Sequence, residues 1–376
     1  MPQLAPEALR ALRRDLGDAA TAHEVAQVVR TQLPRLQGAE LVAAVHEVLA
    51  DAAGLGPLRD AVTPGVTDVL VCSHDLVYRE RDGVLERIDA TWSDESALRA
   101  FAVRLATAAG VRLDQLHPFA DFQLPGGLRC HIVLPPLAAA TSISVRIPRQ
   151  DSMPLSLTEL LGGQPDVIVQ AVCAVVASGR SYLISGGTGS GKTTLLAAMV
   201  GQVPSTQRIV IVEDAAELGP VHPHAVHLRA RPASSEGVGE VTLRTMVRQA
   251  LRMRPDRLIV GEVRGVEVLD LLAAMNTGHQ GAAATVHANT ATQVGQRIRS
   301  LCLMAGVPVE AADALFATAV DLVIHVERAA GGARRVAGIA VTSAAGERIV
   351  PALTVSSDGT VHRGPGIDTL TEMLQC

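Results

Sequence analysis

A single lysine stands among 32 arginines in this 376-residue chain, and it falls inside the run Gly186-Gly187-Thr188-Gly189-Ser190-Gly191-Lys192-Thr193-Thr194. From Gly186 to Thr193 the run fits G-x-x-x-x-G-K-[ST], the pattern of a loop that cradles phosphates. Glycines let the backbone curl until successive N–H groups face an anion, and a helix starting at the loop's end adds its positive pole. An ammonium suits so tight a loop because it is a compact point charge, where a guanidinium is a wide planar fork. Thr193 follows as a ligand for Mg2+. The apolar run Tyr182–Ile184 reads as a buried parallel strand and Lys192–Val200 as a helix, so the strand–loop–helix setting is present. The loop therefore implies an α/β fold with helices packed on a parallel sheet.

The length suits two or three domains. Hydrophobic residues make up 48% and charged residues 19%, enough apolar surface for large cores. A formal charge of −5 and only 2% aromatics argue against nucleic-acid binding by general electrostatics or by base stacking. The five cysteines, Cys72, Cys130, Cys173, Cys302 and Cys376, form no C-x-x-C pair and read as small hydrophobes in a reducing compartment. No apolar stretch reaches the roughly 18 to 20 residues of a spanning helix; the longest, Val167–Ala177, is short and contains Gln170. Glu7, Arg10 and Arg13 interrupt the N-terminus, which does not read as a signal peptide. The expected location is the cytoplasm, with peripheral docking at the membrane.

Along the chain, residues 1–55 show helical stripes such as Val25, Val28, Val29 and Leu33 and form a helical N-terminal module. Residues 56–148 read as an α+β domain: strands near Val66–Val71, Leu76–Arg81 and Val84–Ile88, a helix near Asp94–Ala109, then strands Leu128–Leu134 and Ser142–Ile147. Residues 149–165, rich in proline and glycine, form a linker, and from 166 to 376 strands and helices alternate.

Later strands end in residues that carry chemistry, where open α/β sheets bind their ligands. Leu258–Glu262 delivers the Glu262 carboxylate, able to polarise an attacking water or hold Mg2+. Arg208–Val212 leads into Glu213 and Asp214, with Glu217 a turn further, and at least one of these is expected to face the metal. His287 ends the strand Ala282–Val286, within reach of a γ-phosphate, and His279 precedes that strand. His222, His224 and His227 offer a competing metal reading.

Four blocks, SGGTGSGKTT (185–194), VEDAAEL (212–218), LRMRPDRLIVGEVRG (251–265) and MNTGHQGAAATVHAN (275–289), resemble the Walker A, Asp box, Walker B and His box of the type II/type IV secretion ATPase superfamily. They are most similar to its CpaF or Tad-pilus branch, and the resemblance extends to residues 54–71 and 121–136. It implies a RecA-like P-loop domain at the C-terminal side, a PAS-like α+β domain before it, and a homo-hexamer. ATP and Mg2+ are the implied ligands, and hydrolysis would drive a Tad-type pilus or related secretion machine through a polytopic membrane platform protein.

By the same resemblance, Gly186 to Thr194 bind the nucleotide; Thr193, Asp214 and Glu262 serve the Mg2+; Glu262, Glu213 and His287 are catalytic. Arg129 and Arg146 are the arginines the N-terminal domain would aim at the nucleotide. Cys72-Ser73, where relatives carry Asn-Gly, and the segment around His117 and Pro118 depart from the family pattern. Two alternatives stay open: a nucleotide-gated scaffold without turnover, and a DNA-transfer motor. A GTPase switch does not, since its usual N-K-x-D element needs a second lysine.

Overall fold

The computed structural model describes residues 12, 22–36, 38, 40–42, 44, 45, 48, 54–81, 83–147, 156–214, 217–219, 222–231, 239–276, 281–329, 333–343 and 349–375. Most of the first helical stretch, the beginning of the expected linker and His279 lie outside them. The chain divides into two compact units, Met1–Met153 and Pro154–Cys376.

In the first unit, helix α1 (Ala22–Gln32) precedes strands β1 (Val66–Ser73), β2 (Leu76–Arg81) and β3 (Val84–Ile88). Helix α2 (Glu95–Ala108) follows, then β4 (Phe119–Leu124), β5 (Leu128–Val133) and β6 (Ser142–Arg146). Asp94 caps α2, its Oδ1 accepting from the Ala97 N–H at 2.8 Å. The strands pair antiparallel in the order β3-β2-β1-β6-β5-β4. Val25 and Val29 of α1 are buried in the same core as Val69, Leu98, Phe101, Ile132 and Ile143. β4 was absent from the strands read in the sequence. Its inward residues Ala120, Phe122 and Leu124 do alternate with outward ones, but Pro118 and Pro125 bracket the run and mask the signal.

The second unit opens with helices α3 (Leu157–Leu160) and α4 (Asp166–Ala177). A capping box between Ser156 and Glu159 starts α3, and Leu157 and Leu161 are buried, so this proline- and glycine-bearing stretch already packs into the core. The stretch noted above only as too short to span a membrane is α4, whose Ile168, Val172, Val175 and Val176 lie against Tyr182 and Ile184.

Strand β7 (Tyr182–Ser185) and helix α5 (Lys192–Val200) flank the glycine loop. After them come β8 (Ile209–Glu213), β9 (Ala225–Arg229), α6 (Leu243–Ala250), β10 (Arg257–Val263), α7 (Val268–Asn276) and β11 (Ala283–Val286). The chain finishes with α8 (Val294–Met304), α9 (Val309–Ala319), β12 (Leu322–Arg328), β13 (Arg334–Thr342), β14 (Ile349–Val355), β15 (Val361–Arg363) and α10 (Ile367–Leu374).

The sheet order is β15-β14-β13-β12-β7-β11-β10-β8-β9. From β12 to β9 every pairing is parallel; β12 to β15 continue antiparallel at one edge. Tyr182 and Ile184 face one core and Leu183 the other, as do Ile209 and Ile211 against Val210 and Val212. Burial on both faces explains why these strands read as uninterrupted apolar runs.

Two cysteines behave as the small hydrophobes expected, Cys130 and Cys302 being buried, while Cys72 and Cys173 are exposed. Among the described residues no helix is long and apolar enough to cross a membrane.

Candidate nucleotide-binding site

The loop leaves the carboxyl end of β7, and Gly186 turns it with φ of +157°. A Cβ there would stand 2.3 Å from the Val326 carbonyl oxygen and 2.5 Å from Ser190 Oγ, so the turn has room for no other residue. Gly191 closes the loop in the left-handed region and Lys192 begins α5, which leaves the first N–H groups of that helix aimed into the loop. Ser190 Oγ is buried and meets no hydrogen-bond partner among the described residues, an orphan polar atom inside an anion cradle. Thr188 and Thr194 are exposed and Thr193 is half-buried.

Lys192 is 7% exposed, and its Nζ donates to the carbonyls of Gly186 at 3.1 Å and Gly187 at 2.9 Å. The same Nζ lies 3.5 Å from Nδ1 of His287. An ammonium only donates, so Nδ1 is the accepting nitrogen and the imidazole hydrogen sits on Nε2. Nε2 in turn lies 2.7 Å from Oε1 of Glu262, close but not aligned as a hydrogen bond. Burial and then the Lys192 charge push the His287 pKa below its ordinary value, with Glu262 opposing, a direction that favours the neutral ring. Burial likewise lowers the Lys192 pKa, and Glu262 works against that shift.

The other oxygen of Glu262 is taken by Arg264, through Nε at 2.7 Å and through its terminal nitrogen. Burial pulls the Arg264 pKa down, but the bond to Glu262 and the charges of Glu262, Asp214 and Glu217 outweigh it and the net direction is upward. Glu267, 7% exposed, holds the turn that aims this arginine: its Oε1 accepts from the N–H groups of Arg264 and Gly265, each at 2.7 Å.

Sequence reasoning placed Lys192, His287 and Glu262 in one site, and the fold brings these three side chains together. Glu213 is differently employed. It is 2% exposed, and its Oε1 accepts from the N–H groups of Glu217 at 3.1 Å and Leu218 at 2.8 Å, anchoring the loop after β8. Its Oε2 lies 3.7 Å from Nδ1 of His227. Asp214 is exposed, and Thr193 Oγ1 donates to Oε2 of Glu217 at 3.5 Å. Hydroxyl and carboxylate oxygens of this kind suit Mg2+, which takes few protein ligands and completes its shell with water and phosphate.

The histidine cluster does not make a rival metal centre. Nε2 of His222 is occupied by the carbonyls of Val203 at 3.1 Å and Pro204 at 3.2 Å, and its Nδ1 accepts from the His224 N–H. No group of three metal-binding side chains occurs among the described residues.

Three residues at this site carried no sequence signal as read: Arg264, Glu267 and Arg334. Arg334 on β13 donates from Nε to the Gly189 carbonyl at 3.1 Å and so braces the loop from the sheet's antiparallel edge. In the first unit, Arg129 and Arg146 face each other across β5 and β6, and Nε of Arg146 lies 4.0 Å from Asp68.

A cleft of about 390 Å3 opens beside Gly186, Gly187 and His287 and runs to α8.

Comparison with known proteins agrees with this architecture. A family model described as type II/IV secretion system protein matches residues 51–352. A protein of Mycobacterium tuberculosis named for conjugal transfer is 47% identical over 324 residues, 84% of this chain and 92% of its own. The type IV secretion system protein PtlH of Bordetella pertussis is 35% identical over 289 residues, 69% of this chain and 85% of its own. Among solved structures, the pilus retraction motor PilT with bound ADP shares the fold, with a TM-score of 0.53 at 23% identity over 78% of this chain and 84% of that one.

Proposed function

This chain belongs to the type II/IV secretion ATPase family, and from that premise we propose that it is a hexameric motor which hydrolyses ATP at the cytoplasmic face of a membrane. The stroke would pass to a polytopic platform protein of a Tad/Flp-type pilus or a related secretion machine. The observation that carries the proposal is the contiguous set Lys192–His287–Glu262, with Nζ 3.5 Å from the imidazole and the imidazole 2.7 Å from the carboxylate.

In this reading the loop amides and the α5 N-terminus hold the phosphates, and Lys192 trades its carbonyl partners for phosphate oxygens. Oε1 of Glu262, which has no aligned donor among the described residues, accepts a hydrogen bond from the attacking water. The water oxygen bonds to the γ-phosphorus, the bond from that phosphorus to the bridging oxygen of ADP breaks, and one water proton is released. Neutral His287 donates from Nε2 and reports whether the terminal phosphate is attached. Thr193, Glu217, Asp214 and Glu262 are the oxygen ligands available to Mg2+, which when bound neutralises charge on the outer phosphates. Arg129 and Arg146 would add positive charge at the nucleotide, as arginines do in related phosphoryl transfers.

Phosphate release from MgATP tests the reading. Wild-type protein should turn over, and Glu262→Gln should be slower by about two orders of magnitude or more. Equal rates would remove Glu262 from the chemistry, and no release from wild type would end the hydrolase reading. A DNA-transfer motor is favoured by one observation, the conjugal-transfer name of the Mycobacterium tuberculosis relative. It predicts that DNA stimulates turnover with steep salt dependence.

A further inference from the structure

The cleft beside His287 has a second wall that the hydrolysis site does not use. Gln293, the residue just before α8, and Gln296, Arg297 and Ser300 on the helix all line it. Their spacing puts them on one helical face, while Val294, Ile298 and Leu301 on another face are buried in the core. A helix needs an apolar stripe to pack; it does not need an unbroken row of amide, guanidinium and hydroxyl groups turned into a concavity.

The charges in and around the cleft point to an anion. None of its lining residues is a carboxylate, and among the described residues no carboxylate pairs with Arg297, whereas neighbouring Arg299 is bound bidentately by Asp313 at 2.8 Å. Lys192 stands at the loop end with its Nζ 3.5 Å from Nδ1 of His287, and Arg297 lines the same cleft as that histidine. The Glu262 carboxylate lies against Nε2 of His287 but is not part of the cleft's lining, and the remaining polar groups that do line it can donate hydrogen bonds.

Position adds the ligand's identity. The cleft starts at Gly186 and Gly187, whose carbonyls hold Lys192 Nζ at 3.1 and 2.9 Å, the end of the loop that meets the outermost phosphate. At about 390 Å3 it has room for a phosphate ion with part of its water shell, a single water taking about 30 Å3.

We propose that this cleft is a product site, in which Arg297, assisted by Gln293, Gln296 and Ser300, holds inorganic phosphate after it has separated from ADP. The inference rests on the hydrolysis reading and assigns that site its exit. Arg297 is exposed, so its replacement should leave the fold in place.

Equilibrium dialysis of radiolabelled inorganic phosphate against the full-length chain with MgADP tests it directly. Wild-type protein should bind phosphate. Arg297→Gln should weaken binding by roughly tenfold or more, a charge-assisted bond being lost. Gln296→Glu, which sets a carboxylate in the cleft, should weaken it as well, and Arg297→Lys should recover part of the affinity. Product inhibition of turnover by phosphate should follow the same order. Wild-type-like binding in both Arg297→Gln and Gln296→Glu, or no binding by wild type, overturns the proposal. The two readings fail separately: Arg297-dependent binding without any ATP turnover sinks hydrolysis and leaves the anion site, while turnover with Arg297-independent binding does the reverse.

Discussion

Arg264 reaches back two residues to hold Oε2 of Glu262, its Nε 2.7 Å away, so the carboxylate is shared between this guanidinium and His287. The arginine is one of the cations that keep the His287 pKa low, after burial and Lys192. Replacing it with glutamine should therefore move the His287 titration upward. Imidazole NMR signals followed against pH in wild type and Arg264→Gln measure the effect; an unchanged or lower midpoint would show that the two groups are not electrostatically linked. Turnover should fall about tenfold or more in the same variant, since Glu262 loses the partner that orients it.

Lys192→Arg preserves charge but not shape. The ammonium sits between two carbonyls at 2.9 and 3.1 Å, a space a planar fork with five donors does not fit. Turnover should drop by about two orders of magnitude or more, with nucleotide affinity reduced alongside. Near-normal rates in a phosphate-release assay would mean that any cation serves.

His325 supplies a pH dependence of stability. It is 9% exposed, bonded through Nδ1 to Ser185 Oγ at 2.9 Å, and burial pushes its pKa below the ordinary value, Glu327 and the Asn289 backbone opposing. A base whose folded pKa is depressed contributes full stability above its unfolded pKa of about 6.5, and that contribution is lost as pH falls through the folded value. The thermal midpoint of wild type should therefore decline as pH drops below about 6.5, and less steeply in His325→Gln. Parallel declines in the two proteins would place the sensitivity elsewhere.

Arg129→Thr separates stability from function in the first unit. The change removes one of two like charges opposed across β5 and β6 and leaves the contact between Arg146 and Asp68 at 4.0 Å. Folding stability, read from denaturant midpoints, should change by no more than about 1 kcal/mol in either direction, while turnover falls if the arginine serves the nucleotide. A destabilised variant with normal turnover would make Arg129 a purely structural residue.

What the sequence disclosed and what it hid divide along distance in the chain. The glycine loop is readable because strand, turn and helix are consecutive, and Glu262 and His287 are readable because each closes an apolar run. Arg334 reaches Gly189 across 145 residues and His325 reaches Ser185 across 140, and nothing local marks either contact. Glu213 illustrates the converse: its place at the end of β8 is legible, but the backbone N–H groups that occupy its Oε1 belong to a loop whose path only the fold determines. The polar face of α8 carries no local mark of a site, because a row of polar residues on a helix reads the same whether it faces a cleft or open solvent.

Strand β7 is bonded in register on both sides, to β11 through Tyr182–Ser185 and to β12 through the same four residues, and each of the four is buried. Its side chains enter both layers of helices, Leu183 into one and Tyr182 and Ile184 into the other. Mechanically, the loop is mounted on a strand that is held on both edges and both faces. A displacement begun at Gly186 therefore passes directly into β11 and β12, the two strands bonded to the one that carries the loop.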